Sequence, residues 1–287
     1  MLTASFVPLE LAYEHRNYFA ALGVCLVLAD LLVLLPRAEG TRRIGALVAA
    51  LTLVVYFGIT LLRANEWRDP YRFATTEAAK RPASPRAQYE FARMAVKLTG
   101  YRADSPVLPD AWRALENARA VPGSDTLPHQ AALILASQTG TLDAHDAWWR
   151  DMEHRLRTQP LGSQNLAAIV SLGDCAADDL CHFPPQAMLG IYAAALSQGP
   201  QPTVLASYGK YALHVLDDTA LAERLWVDTV AADPGNAQYR YNLARLYLLK
   251  GDIASARVQR DALHRLGAVA NRGLVADLDA RLQGSIE

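Results

Sequence analysis

The residues best suited to chemistry lie near the start of the chain, in Glu14, His15, Arg16, Asn17 and Tyr18. These polar side chains abut a run, Phe19–Leu35, that is apolar except for Asp30. At a membrane face the Arg16 guanidinium can pair with a lipid phosphate or with Glu10 or Glu14, and His15 can carry or relay a proton. A plainer role is open to the same residues. Arg16 and Tyr18 can anchor the end of a membrane helix while Asn17 caps it. Asp30 is costly inside a span unless it has a task, but it sits close enough to Pro36 to reach the interface.

A second set lies far downstream. Cys175 and Cys181, in GDCAADDLCHF, are the only cysteines beyond Cys25. A pair closing so short a loop suits a disulfide in an oxidising compartment. Two unrelated buried thiols are the other reading, and a metal site would lack a fourth ligand beside His182. No nucleophile elbow, zinc-binding His-Glu-x-x-His, dinucleotide fingerprint or phosphate loop occurs, so no catalytic residue, metal or cofactor is assigned. His129, His145, His154, His182, His214 and His264 are scattered and read mostly as surface residues.

These groups need elements to position them. Phe19–Leu35 and the uncharged Ile44–Leu62 are each long enough for a helix to cross the roughly 30 Å hydrocarbon layer, which predicts a two-span hairpin. A uncharged stretch of that length leaves no polar face for a soluble helix. The connecting Pro36–Arg43 carries Arg37, Arg42 and Arg43 against Glu39 and reads as the cytoplasmic turn. Arg63, Arg68 and Arg72 argue the other way, but large domains translocate largely regardless of charge. The tight turn therefore predicts an integral inner-membrane protein whose C-terminal domain is periplasmic. Met1–Tyr18 has no basic n-region or cleavage site and reads as a membrane-face loop of a longer polytopic protein. A formal net charge of −1 gives no reason to expect nucleic acid.

From Trp67 onward apolar residues recur at three and four spacing, and the breaks carry Pro, Gly, Asp or Asn, without alternating β-branched runs. The prediction is an all-α chain divided as 1–18 (membrane-face loop), 19–63 (two spans) and 64–287 (stacked helical hairpins). In Ala237–Leu266, Leu243, Ala244 and Tyr247 share one face, Gly251 and Asp252 turn the chain, and Ala256 opens the buried stripe of the next helix. Ala222, Trp226 and Pro234 occupy corresponding places upstream. This pattern closely resembles the tetratricopeptide repeat, whose period is about 34 residues, with Arg260 standing where that family usually has an aromatic. A weaker copy surrounds Pro82, Tyr89, Phe91 and Ala92. Trp112, Trp148 and Trp149 read as core or groove residues of the middle region. The resemblance implies an α-solenoid with a protein or peptide in its concave groove, and the last helix, Asn271–Gln283, with Arg and Asp on its outer face, suits a capping helix.

The opening EHRNYFAALG also resembles the EHR-x-Y-L-P-S-x-G signature of the transmembrane-and-TPR O-mannosyltransferases and bacterial proteins of similar layout. Glu14, His15, Arg16, Tyr18 and Gly23 match, while Ala20 and Ala21 replace Pro and Ser. That resemblance implies a lumenal or periplasmic motif, a GT-C type membrane fold and a polyprenyl-phosphate sugar donor. Two spans cannot enclose such a donor pocket, so the chain is not expected to transfer sugar alone. The expectation is a membrane-anchored, TPR-like interaction domain. The alternative is the C-terminal part of a GT-C type protein glycosyltransferase.

Overall fold

The structure is a computed structural model and describes residues 39–267 and 270–284, with Leu22, Gly23 and Leu26. The Glu14–Tyr18 motif, Asp30, Cys25 and most of the first apolar run lie outside the described residues. Among the described residues the chain is all-helical, with thirteen α-helices, one short 3-10 turn (Leu142–His145) and no strand.

Helix α1, Glu39–Trp67, contains the second apolar run. It starts inside the expected Pro36–Arg43 turn, since nothing after Pro36 prevents helix there. Within Arg43–Trp67 the most apolar 18 residues have a mean hydropathy of 2.3, and none of them is buried against the rest of the protein. At 1.5 Å per residue the 25 residues of Arg43–Trp67 extend about 37 Å, enough to cross a membrane. The two threonine hydroxyls in the run are satisfied within it. Thr52 and Thr60 donate to the carbonyls of Val48 and Tyr56, each at 2.8 Å.

The other helices are α2 (Pro70–Lys80), α3 (Pro85–Thr99), α4 (Leu108–Ala120), α5 (Leu127–Thr139), α6 (Asp146–Thr158) and α7 (Ser163–Ala177). They continue with α8 (Pro185–Leu196), α9 (Pro202–His214), α10 (Thr219–Ala232), α11 (Ala237–Leu249), α12 (Ile253–Arg265) and α13 (Arg272–Gly284). Proline in the first turn opens α2, α3, α4, α5, α8 and α9, where its missing N–H costs nothing. Side chains of Asp69, Ser84, Asp218, Asn236 and Asp252 cap α2, α3, α10, α11 and α12. Gly251, at φ 74°, turns the chain between α11 and α12.

Neighbours in sequence pair closely at α3/α4, α9/α10 and α11/α12. Small residues permit the approach: Ala92, Ala95, Ala111, Ala114 and Ala118 at α3/α4, Ala244 and Ala256 at α11/α12, all buried. In the middle the chain stacks every second helix instead, with α5 on α7, α7 on α9 and α6 on α8. Helices α5 and α8 are apolar around most of their circumference and are buried on several sides, which requires neighbours beyond a single hairpin partner. Three apolar clusters result, over α3–α9, α9–α11 and α11–α13; Leu196 and Tyr208 pack against both the first and the second.

Candidate functional site

A groove of about 1000 Å³ opens on the face made by α7, α9 and α11. Its origin lies in the stacking. Helix α9 rests on α7 and α11 rests on α13, but α9 and α11 share little direct packing, and α10 sits between them. Thr203 and Tyr239 reach across the gap, their hydroxyls 3.5 Å apart. Trp226 of α10 forms part of the floor with Leu213 and Leu246. Its indole lies so close to α9 that a Cβ on residue 209 would stand 2.8 Å from Nε1, so Gly209 is required there.

The two ends of the groove differ in charge. At the α7 end Lys210 sits between Asp174 and Asp178, 2.9 Å from each. Burial works against the ammonium, but the two carboxylates overcome it and hold its pKa above the ordinary lysine value. At the α11–α13 end Arg281 pairs with Asp277 at 2.6 Å, and Tyr241 donates to the same carboxylate at 2.7 Å. The exposed Arg245 lies over the Tyr241 ring at 5.8 Å and forms no ion pair among the described residues. An acidic pair around one lysine thus borders one end, and the guanidiniums of Arg245 and Arg281 line the other. Leu249, 69 % exposed, adds an apolar rim.

Cys175, in the last turn of α7, and Cys181 are joined in a disulfide, with Cα atoms 5.2 Å apart. The loop folds back on itself, since the N–H groups of Leu180 and Cys181 both donate to the Cys175 carbonyl. It is held to α5 by Gln138, which donates to the Leu180 carbonyl, and by Ser137, which accepts from His182 N at 3.0 Å. Asp178, at the start of this loop, reaches Lys210 alongside Asp174, so the stapled loop borders the groove.

Among the repeat-signature positions, Leu243, Ala244 and Ala256 are buried, Tyr247 packs partly buried against the second cluster, and Gly251 makes the turn. Ala222 and Trp226 are buried in α10. Arg260 turns to Asp261 and to Asp279 of α13. Asp277 and Asp279 keep partial solvent exposure on the last helix while pairing with Tyr241 and Arg260. Trp148 and Trp149 are core residues, and Trp112 stacks on His145 with ring centroids 4.0 Å apart.

His129 departs from the expected surface location. It is fully buried, with Nε2 2.8 Å from Asp151 Oδ2 and its ring edge-on to Trp148. Arg119 and Arg155 converge on the same Asp151. Burial, only partly offset by Asp151, lowers the His129 pKa to about 4. With no exposed edge the imidazole cannot meet a substrate, and it serves the fold. The signal was present in the sequence: His129 precedes Ala132, Leu133 and Ala136 at helical spacing, on the buried stripe of α5. No group of three or more metal-ligating side chains occurs among the described residues. No known family model matches the chain, and no curated protein is similar to it.

Proposed function

We propose that this chain is a membrane-anchored, TPR-like α-solenoid whose groove binds an extended peptide segment of a partner protein. The observation that carries the reading is the gap between α9 and α11, with its apolar floor, an acidic pair at one end and the guanidiniums of Arg245 and Arg281 at the other. An extended segment would lay apolar side chains along Trp226 and Leu246, direct an acidic group to Arg245, and direct a basic group towards Asp174. Arg245 and Leu249 are exposed and can be replaced without disturbing the core. In the full chain in nanodiscs, Arg245→Ala and Leu249→Asp are each expected to weaken peptides selected from a display library at least about tenfold, the scale of one interface anchor. Equal affinity for wild type and both variants would remove the groove as the binding site.

The domain is placed on the periplasmic side, with the first apolar run and α1 as a two-span hairpin. This placement is supported by the basic Arg37–Arg43 segment and by the Cys175–Cys181 pair. Alkaline phosphatase fused after Glu287 should be active, and peptides from native membranes should carry the linked cysteines. An inactive fusion together with free, alkylatable thiols would put the domain in the cytoplasm.

The Glu14–Tyr18 motif favours a second reading, in which the chain is the C-terminal part of a GT-C type glycosyltransferase and the solenoid holds the acceptor protein. Arg16 would then bind the phosphate of a polyprenyl-linked sugar through a bidentate contact that lysine cannot copy. In the full assembly Arg16→Lys should depress glycan transfer at unchanged expression. Undiminished transfer would leave the motif as a helix anchor.

A further inference from the structure

The corner between α1 and α2 carries charges that nothing above uses. Only Arg68 and Asp69 separate the two helices. Asp69 Oδ1 accepts from the N–H groups of Tyr71 and Arg72, at 2.9 and 3.3 Å, which fixes the turn. Lys80 reaches back to Glu66 at 3.1 Å, and the Trp67 and Phe73 rings lie 4.6 Å apart. Helix α2 is held in turn to α3, where Gln88 donates to the Ala78 carbonyl at 2.9 Å. The apolar helix therefore meets the domain in a braced corner.

The carboxylates at this corner are committed. Glu66 pairs with Lys80, Asp69 caps α2, and the buried Glu77 lies near Lys80 and Arg81. Arg68 and Arg72 are both exposed, and among the described residues neither forms an ion pair with a carboxylate. Arg68 lies about 9 Å beyond Leu62, the end of the uncharged run, at 1.5 Å per helical residue. The headgroup layer is about 5–7 Å deep on each side, within reach of an arginine that snorkels back towards it. Trp67 and Tyr71, 49 % and 38 % exposed, are amphipathic aromatics of the kind that settle at that depth.

We infer that the α1–α2 corner is a docking surface for anionic phospholipid headgroups. Arg68 and Arg72 take lipid phosphates, Trp67 and Tyr71 seat among the headgroups, and the bilayer thereby sets the pose of the helical domain. Phosphate is present in both leaflets, so the inference holds on either side of the membrane. It rests on α1 spanning the bilayer.

The test is hydrogen exchange over residues 66–80 of the full chain, in nanodiscs of phosphatidylcholine with and without phosphatidylglycerol. Anionic lipid should slow exchange there by about fivefold for each engaged arginine. R68Q/R72Q should abolish the lipid dependence, while R68K/R72K should keep part of it, which separates charge from a folding defect. Equal exchange in both lipids, or full lipid dependence in R68Q/R72Q, would overturn the docking surface while leaving the anchor in place. A chain that does not enter the nanodiscs at all would overturn the anchor as well.

Discussion

Acidification from neutrality towards pH 4 is expected to remove about 3 kcal/mol of stability through His129 alone, the equivalent of lowering one histidine pKa from 6.5 to about 4. The neutral imidazole donates Nε2–H to Asp151 and leaves Nδ1 as a lone pair with no partner. Protonation would put a buried N–H on Nδ1 with nothing to accept it, beside the guanidiniums of Arg119 and Arg155. The unfolded chain therefore takes up the proton first. This contribution is complete above about pH 6.5 and is lost as the pH falls from there through about 4. Denaturant unfolding of the full chain in detergent across that window measures it. His129→Gln keeps a donor near Asp151 but cannot titrate, so its stability should change less over the same range. An identical pH slope in wild type and His129→Gln would assign the acid sensitivity elsewhere.

Gly173→Ala should destabilise the domain by about 2–4 kcal/mol, although alanine is the better helix former. The sign is the informative part. Gly173 lies inside α7, where helix propensity alone would make alanine stabilising by about 1 kcal/mol. A Cβ there would stand 2.5 Å from both Tyr192 Oη and Ser207 Oγ, which are themselves 3.2 Å apart in a buried hydrogen bond. Tyr192 is fully buried and stacked on Tyr208 at 4.6 Å, so it cannot swing aside. Displacing it opens that bond and strains the α7–α9 stack on which one wall of the groove depends. Tyr192→Phe removes the clashing oxygen and should recover part of the loss in the Gly173→Ala background. An unchanged or raised urea midpoint in Gly173→Ala would contradict this packing.

The all-helical character was legible because its signals are local. Proline in the first turn, Asp, Asn or Ser caps and glycine at turns mark the helix ends, and apolar spacing marks the buried faces. The apolar run of α1 was legible for a related reason, since Ile44–Leu62 offers no polar face. The groove was not legible. It depends on α9 stacking on α7 while standing off α11, and no short pattern encodes that choice. Lys210 meets Asp174 and Asp178 only because α7 and α9 are adjacent, so nothing near position 210 announces the pairing. Asp277 and Asp279 illustrate the same point. Both keep solvent exposure on α13, but their partners Tyr241 and Arg260 come from α11 and α12, and nothing near positions 277 and 279 announces that pairing. His129 was an error of residue type over position, because its place on the apolar stripe outweighs the usual exposure of histidine.

The groove between α9 and α11 as the seat of a bound peptide is tested most directly by finding where the peptide lies. A library-selected peptide carrying a photoreactive group would be crosslinked to the full chain in nanodiscs and the adducts mapped by mass spectrometry. The expected result is adducts on Leu213, Leu246 and Leu249, suppressed by excess unlabelled peptide. Competable adducts confined to α6, α8 or α12, with none on α9 or α11, would contradict it.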